Sequence, residues 1–147
     1  MSEITRSALL PYPAADVFEL INDVTAYPHY LDGCVGAEVL LKTDEIMEAR
    51  LDLAKKGLKY SLTTRNRLVP PSLVAMELVD GPFKSFSGEW RITALSENAC
   101  KVSLHLAFTL ESRALSLAAR ALFNPMADNL VDAVVKRAHS QCGRAGQ

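Results

Sequence analysis

Val79-Asp80-Gly81-Pro82-Phe83, running straight into Lys84-Ser85-Phe86-Ser87-Gly88-Glu89-Trp90, reads as a turn that feeds a strand. Gly81 tolerates φ > 0 and Pro82 pre-sets φ at about −65°, so Asp80-Gly81-Pro82 is expected to reverse the chain. Beyond the turn, Phe86, Gly88, Trp90, Ile92 and Ala94 fall on one face of an extended strand, and Ser85, Ser87, Glu89, Arg91 and Thr93 on the other. The apolar face carries two aromatics with a glycine between them. A gap flanked by rings suits a packed helix or an apolar guest better than acid–base chemistry.

The same alternation extends in both directions. Upstream, Val35, Val39 and Leu41 alternate with more polar positions, and Thr43-Asp44-Glu45 is a turn. Met47, Ala49, Leu51 and Leu53 oppose Glu48, Arg50 and Asp52 before a second turn at Lys55-Lys56-Gly57. Leu58, Tyr60 and Leu62 oppose Lys59, Ser61 and Thr63, and the polar side continues to Arg65 and Arg67. Pro70-Pro71 breaks the chain ahead of Val74, Met76 and Leu78. Downstream, Asn98 turns the chain into a strand where Val102, Leu104, Leu106, Phe108 and Leu110 oppose Lys101, Ser103, His105 and Thr109. With Ile4 to Leu10 as the first strand, this makes about seven strands, each with one polar and one apolar face. That is the pattern of an antiparallel sheet covered on one side.

The cover is C-terminal. Leu115, Ala118, Ala119, Leu122, Phe123, Met126, Leu130, Val131, Val134, Val135 and Ala138 recur at helical spacing. Asn124-Pro125 interrupts the stripe, and a kink or break is expected there, with Pro125 opening a second helical segment. A shorter helix carries Ala14, Val17, Phe18 and Ile21 on one stripe, with Pro13 in its first turn and Asn22-Asp23 at its end. Tyr27 to Gly33 reads as a loop or a second short helical turn. The fold class is therefore α+β: a curved antiparallel sheet of about seven strands around a long C-terminal helix. Residues 1–147 are expected to form one domain, with 143–147 as a flexible tail.

Composition narrows the function classes. At 147 residues, with 49% apolar and 22% charged, the chain can close a core and is not disordered. A net charge of −1 gives no bulk reason to seek nucleic acid, and no DNA partner is expected. No signal peptide or bilayer-spanning run is visible. Three widely spaced cysteines, Cys34, Cys100 and Cys142, support neither a disulfide framework nor a metal site. Reduced thiols in the cytoplasm are the expectation.

Several local words point to a family. Asn22-Asp23-Val24 with Tyr27-Pro28-His29-Tyr30-Leu31 and Gly33-Cys34 resembles the "NDV..YP.FLPGC" segment of one branch of the START-like, helix-grip superfamily. So do Thr64-Arg65-Asn66, Asp80-Gly81-Pro82-Phe83, Gly88-Glu89-Trp90, Ala99-Cys100-Lys101-Val102 and Lys136-Arg137-Ala138. That branch is the polyketide cyclase/dehydrase-like family that holds the coenzyme Q-binding proteins and the bacterial ribosome-association toxin RatA. The resemblance implies a non-enzymatic carrier of ubiquinone or a related polyprenyl lipid in support of respiration, with no required cofactor. Its alternative implication is binding of the large ribosomal subunit to block subunit joining. Asp32, Pro13 and Pro125 depart from the family pattern, the last near the mouth of any ligand space.

Four candidate sites follow. The first is an apolar ligand site lined by Leu51, Leu53, Leu62, Met76, Leu78, Phe86, Trp90, Leu106, Phe108, Phe123 and Met126; the competing reading is a solid core. The second is a gate at Tyr27, Pro28, Tyr30 and Leu31, against a rigid turn. The third is a basic patch of Lys55, Lys56, Lys59, Arg65 and Arg67, facing ribosomal RNA or a peripheral membrane surface, against an ordinary solvated face partly neutralised by Glu48 and Asp52. The fourth is a cyclase site, for which the inward strand positions offer only Tyr60, Thr64 and Asn66. No paired carboxylates, nucleophile–histidine set or metal cluster supports it. His105 lies on a polar strand face, and His139 near the helix end is read as interacting with the helix C-terminus.

Overall fold

The structure is a computed structural model that describes residues 2–55, 57–110 and 113–145; the side chains of residues 2, 55, 113–122 and 142–145 lie outside the described set. Part of the expected 143–147 tail and the turn residue Lys56 therefore fall outside it. In chain order the elements are β1 (Ser2–Leu10), α1 (Ala14–Asn22), a 3-10 segment (Val24–His29), β2 (Cys34–Lys42), β3 (Ile46–Lys55), β4 (Leu58–Val69), β5 (Leu73–Asp80), β6 (Phe83–Ser96), β7 (Ala99–Leu110) and α2 (Arg113–Ala145).

The seven strands form one antiparallel sheet in the order β1-β7-β6-β5-β4-β3-β2. β2 to β7 are laid down as successive hairpins, and β1 pairs with β7, Ser2 opposite Phe108 and Leu10 opposite Cys100. The turns are built as their residues dictate. Thr43 Oγ1 accepts the backbone N–H of Glu45 (3.3 Å) and of Ile46 (3.0 Å). The Pro13 carbonyl accepts the N–H groups of Asp16 (3.1 Å) and Val17 (3.2 Å), which starts α1 without a side-chain cap.

Two sequence expectations are corrected. α2 runs unbroken through Pro125 instead of restarting there. Proline costs an interior helix one hydrogen bond, and here Phe123, Ala127, Val131, Val134 and Ala138 on either side are buried, which offsets that loss. In β2, Val35 (63% exposed) and Leu41 (47%) face outward. Register shifts at Cys34/Gly36 and Val39/Leu41 break the simple alternation of this edge strand.

The concave face of the sheet is covered in two parts. At one end, α1 and the second half of α2 pack on β1, β6 and β7. Val17, Cys100, Val102, Leu104, Val134 and Ala138 are fully buried there. At the other end, residues 123–130 of α2 and the 3-10 segment face β3 to β7 across a cavity. The convex face is polar and threaded with ion pairs: Arg50 bridges Glu38 (2.9 Å) and Asp52 (3.2 Å), Arg65 holds Glu48 (2.6 Å), and Arg91 holds Glu89 (2.7 Å).

Candidate functional site

The cavity, about 100 Å³, sits between the sheet and α2. Nine of the eleven expected lining residues border it. Leu51, Leu62 and Met76 come from β3, β4 and β5. Phe86 and Trp90 come from β6, Leu106 and Phe108 from β7, and Phe123 and Met126 from α2. The other two do not reach it. Leu53 is buried (3% exposed) at the far end of β3, opposite Cys34 and Tyr60. Leu78 is half-buried beside Gly81 at the turn into β6. Both have the right strand parity; they lie too far along their strands.

Alternation did not place Phe83 in the lining. A register shift between Phe83 and Ser85 adds a residue to β6, so Phe83 and Phe86 both point inward. Phe83 then becomes the centre of an aromatic group, with ring centroids 4.9 Å from Phe123, 5.3 Å from Phe86 and 5.7 Å from Phe108. No sequence signal marks such a bulge beforehand. The gap expected at Gly88 is not open space. A Cβ there would collide with the Leu106 side chain and come within 3.0 Å of Met76 Cε, so its neighbours already occupy it.

Among the described residues, none with an ionised side chain lines the cavity. Its polar members are Thr64, Asn66, Trp90 and Tyr27. The Tyr27 hydroxyl donates to the Ile21 carbonyl, fastening the 3-10 segment to α1. Burial, and then the neighbouring Tyr30, push the Tyr27 phenol well above its ordinary range. Thr64 (8% exposed) and Asn66 (5%) are the buried polar side chains among the described residues of the sheet. They lie two apart on the inner face of β4, and the Thr64 hydroxyl donates to Asn66 Oδ1 at 2.9 Å. Leaving a buried amide donor without a partner costs roughly 1–3 kcal/mol.

The expected gate residues divide. Tyr27 and Leu31 are buried and form part of the cavity wall. Pro28 is half-buried within the 3-10 segment. Tyr30 stands outside, edge-on to Tyr27 with ring centroids 5.7 Å apart, and the Arg137 guanidinium lies 5.2 Å from its ring. Leu31 and Met126 border both the cavity and a second, external groove that also holds Asp32, Pro125, Asn129 and Lys136. Met126 reaches over Gly33, whose φ of 93° and missing side chain leave it room; a Cβ at that position would lie 2.6 Å from Met126 Cε.

The basic patch is less basic than its sequence. Lys59, Arg65 and Arg67 do point outward from β4, but Arg65 is clamped by Glu48 through Nε (2.8 Å) and Nη2 (2.6 Å). Lys59 and Arg67 have no acidic partner within ion-pair distance among the described residues. The side chains of Lys55 and Lys56 lie outside the described residues. The remaining candidates carry no catalytic set. His105 hydrogen-bonds Thr5 (3.0 Å) and lies 3.3 Å from Glu3 on the outer face. His139 meets the Tyr12 hydroxyl at 2.6 Å rather than the helix end. Among the described residues there is no cluster suited to a metal ion, and no helix is long and apolar enough to cross a membrane. Cys34 and Cys100 are both buried, and burial raises the Cys34 pKa.

A curved sheet gripping one long helix, with an apolar cavity between them, defines a START-like protein. The chain matches the family described as "Polyketide cyclase / dehydrase and lipid transport" over residues 10–135, and it belongs to that family. A Vibrio cholerae serotype O1 protein named ribosome association toxin RatA is 43% identical over 97% of this chain and 99% of its own length. The mitochondrial coenzyme Q-binding protein COQ10 of Drosophila melanogaster is 26% identical over 95% of this chain and 59% of its own. Among solved structures, the Zhui aromatase/cyclase from a Streptomyces species superposes with a TM-score of 0.82, at 19% identity, over 96% of this chain and 95% of that one. That last likeness is one of fold. The more similar relative's name describes ribosome association and not an enzymatic reaction, whereas the family description also covers cyclases.

Proposed function

We propose that this chain associates with the ribosome, binding the large subunit and opposing subunit joining. The observation that carries the reading is 43% identity, end to end, with a protein named for ribosome association. The outward face of β4 carries two cations, Lys59 and Arg67, with no acidic partner among the described residues, and these are the favoured phosphate contacts. Arg65 is already engaged by Glu48 and contributes less. Co-sedimentation of the full chain with isolated large subunits tests this. Binding should fall steeply as salt rises, and Lys59→Glu with Arg67→Glu should weaken it more than Arg65→Glu. Absence of the protein from the pellet at low salt would remove the reading.

A second reading rests on the cavity itself: the protein holds an apolar ligand, an isoprenoid quinone being the favoured class. Its described lining is mostly apolar and carries no charged side chain, and a relative is named for binding coenzyme Q. An engineered cavity of about 150 Å³ takes up benzene, so about 100 Å³ suits one end of a long ligand and not the whole. Leu31 and Met126, shared with the outer groove, form the wall through which the rest would pass. Organic extraction of gently purified protein, followed by mass spectrometry, should then recover quinone from the wild type and none from folded Trp90→Glu. Quinone retained equally by both would sink the assignment.

A further inference from the structure

We infer that Thr64 and Asn66 form a recognition subsite for a neutral hydrogen-bond acceptor, a carbonyl or ether oxygen, on the end of the ligand that enters the cavity. This inference rests on the second reading above, that the cavity holds a ligand.

Both residues are polar side chains on the buried inner face of β4, at positions where the neighbouring strands present Ala49, Met47, Met76 and Leu78. A core that needed only to be packed would gain from apolar residues there. The pair is also ordered in a particular sense. The Thr64 hydroxyl spends its proton on Asn66 Oδ1. The amide acceptor is thereby engaged, and the Asn66 Nδ2 hydrogens become the donors that the pair presents at the cavity wall. Of the other polar lining residues, the Tyr27 hydroxyl is committed to Ile21, and Trp90 carries only a donor, its indole N–H. The wall therefore offers donors to an acceptor.

Charge is selected against as well. With no Lys, Arg or His among the described lining residues, a carboxylate or phosphate would lose its hydration there without a counter-charge from them. A pure hydrocarbon would fit the rings but leave the Asn66 donors unmet. The matching class is a neutral ketone, quinone or ether attached to an apolar body. A fatty acid, an alkane or a phospholipid headgroup does not match.

Three small probes separate these classes: acetophenone, its hydrocarbon counterpart ethylbenzene, and benzoate. Their dissociation constants would be measured on the full chain by NMR titration, for wild type and for Asn66→Leu, which is close in shape. Thr64→Val, nearly isosteric, is the second variant in case Asn66→Leu is poorly folded. The wild type should bind acetophenone and ethylbenzene but not benzoate. Asn66→Leu should weaken acetophenone about tenfold, the worth of one good buried hydrogen bond, while keeping or tightening ethylbenzene. Thr64→Val should shift the same ratio in the same direction by less. If both neutral probes bind and neither variant changes their ratio, the subsite is overturned while the cavity reading stands. Benzoate binding more tightly than acetophenone would overturn it too. If no probe binds the wild type, the cavity reading fails and this inference with it.

Discussion

The two ends of the concave sheet face have the same sequence grammar and different outcomes. At the α1 end, Val17, Val102, Leu104, Val134 and Ala138 are fully buried in continuous contact. At the other end, a similar alternation on β3 to β7 encloses about 100 Å³ and two buried polar groups. Extra cover accounts for part of the contrast. α1 lies against β6, β7 and α2 at the first end, and at the second only the 3-10 segment assists α2. The remainder lies in which atoms are missing: Ala49 and Ala127 are small members of the lining, and Thr64 and Asn66 hold their places where larger apolar groups would interlock. Alternation determines which way a residue points. The number of layers above it determines whether the space closes.

The sharpest test of this contrast is truncation at the solid end. Leu104→Ala should cost about 2–5 kcal/mol in urea unfolding, since its site cannot collapse. A cost below about 1 kcal/mol would mean that this end is not close-packed. Enlargement tests the same point from the other side. Ala138→Leu, at a fully buried site, should destabilise by about 1–3 kcal/mol. Ala49→Leu, beside the cavity, should stay within about 1 kcal/mol of wild type and abolish probe binding. Equal penalties for the two would erase the distinction between the ends.

Tyr27 joins the two ends, with its ring in the cavity wall and its hydroxyl on α1. Because burial raises its phenol well above 10.0, the folded state keeps a proton that the unfolded chain releases. Its contribution is intact below about pH 10 and is lost as pH rises from there through the folded value. Tyr27→Phe should cost about 1 kcal/mol at neutral pH through the lost hydrogen bond, and it should flatten the alkaline decline seen in unfolding at successive pH values. An unchanged alkaline slope would assign that decline to other groups. The smallest effect belongs to the convex face. A double-mutant cycle on Arg65 and Glu48, a partly exposed pair, should return a coupling of about 0.2–1 kcal/mol that shrinks with salt. A larger value would make the ion-pair lattice a structural element in its own right.

Much of this was legible in the chain. The turn at Asp80-Gly81-Pro82, the alternation of five strands from Met47 to Leu110, the apolar positions of Ile4 to Leu10 and Val35 to Leu41, and the helical stripe after residue 113 were enough to place seven strands and their cover in order. Seven cavity-lining residues followed from strand parity, and two, Phe123 and Met126, from the helical stripe. The misses share one cause, which is position along a strand or between strands. Leu53 and Leu78 point the right way at the wrong height, and Phe83 is turned inward by a bulge that leaves no mark in composition. Arg65 loses its free charge to Glu48, which stands directly opposite it only once β3 and β4 are in register. Pro125 reads as a helix breaker because local energetics disfavour it, yet the helix continues, since burial on both sides of it favours the unbroken form.

The order of elements, the antiparallel connectivity and which face of each strand meets the helix are written in the chain, because they depend on local periodicity and turn chemistry. Whether the covered face is solid or hollow was decided by the tertiary structure alone. So were the meeting of Thr64 with Asn66 at a cavity wall and the survival of any basic patch after its acids have paired. Those outcomes depend on distances between segments far apart in the chain, and such distances exist only after register, bulges and layer packing have been set.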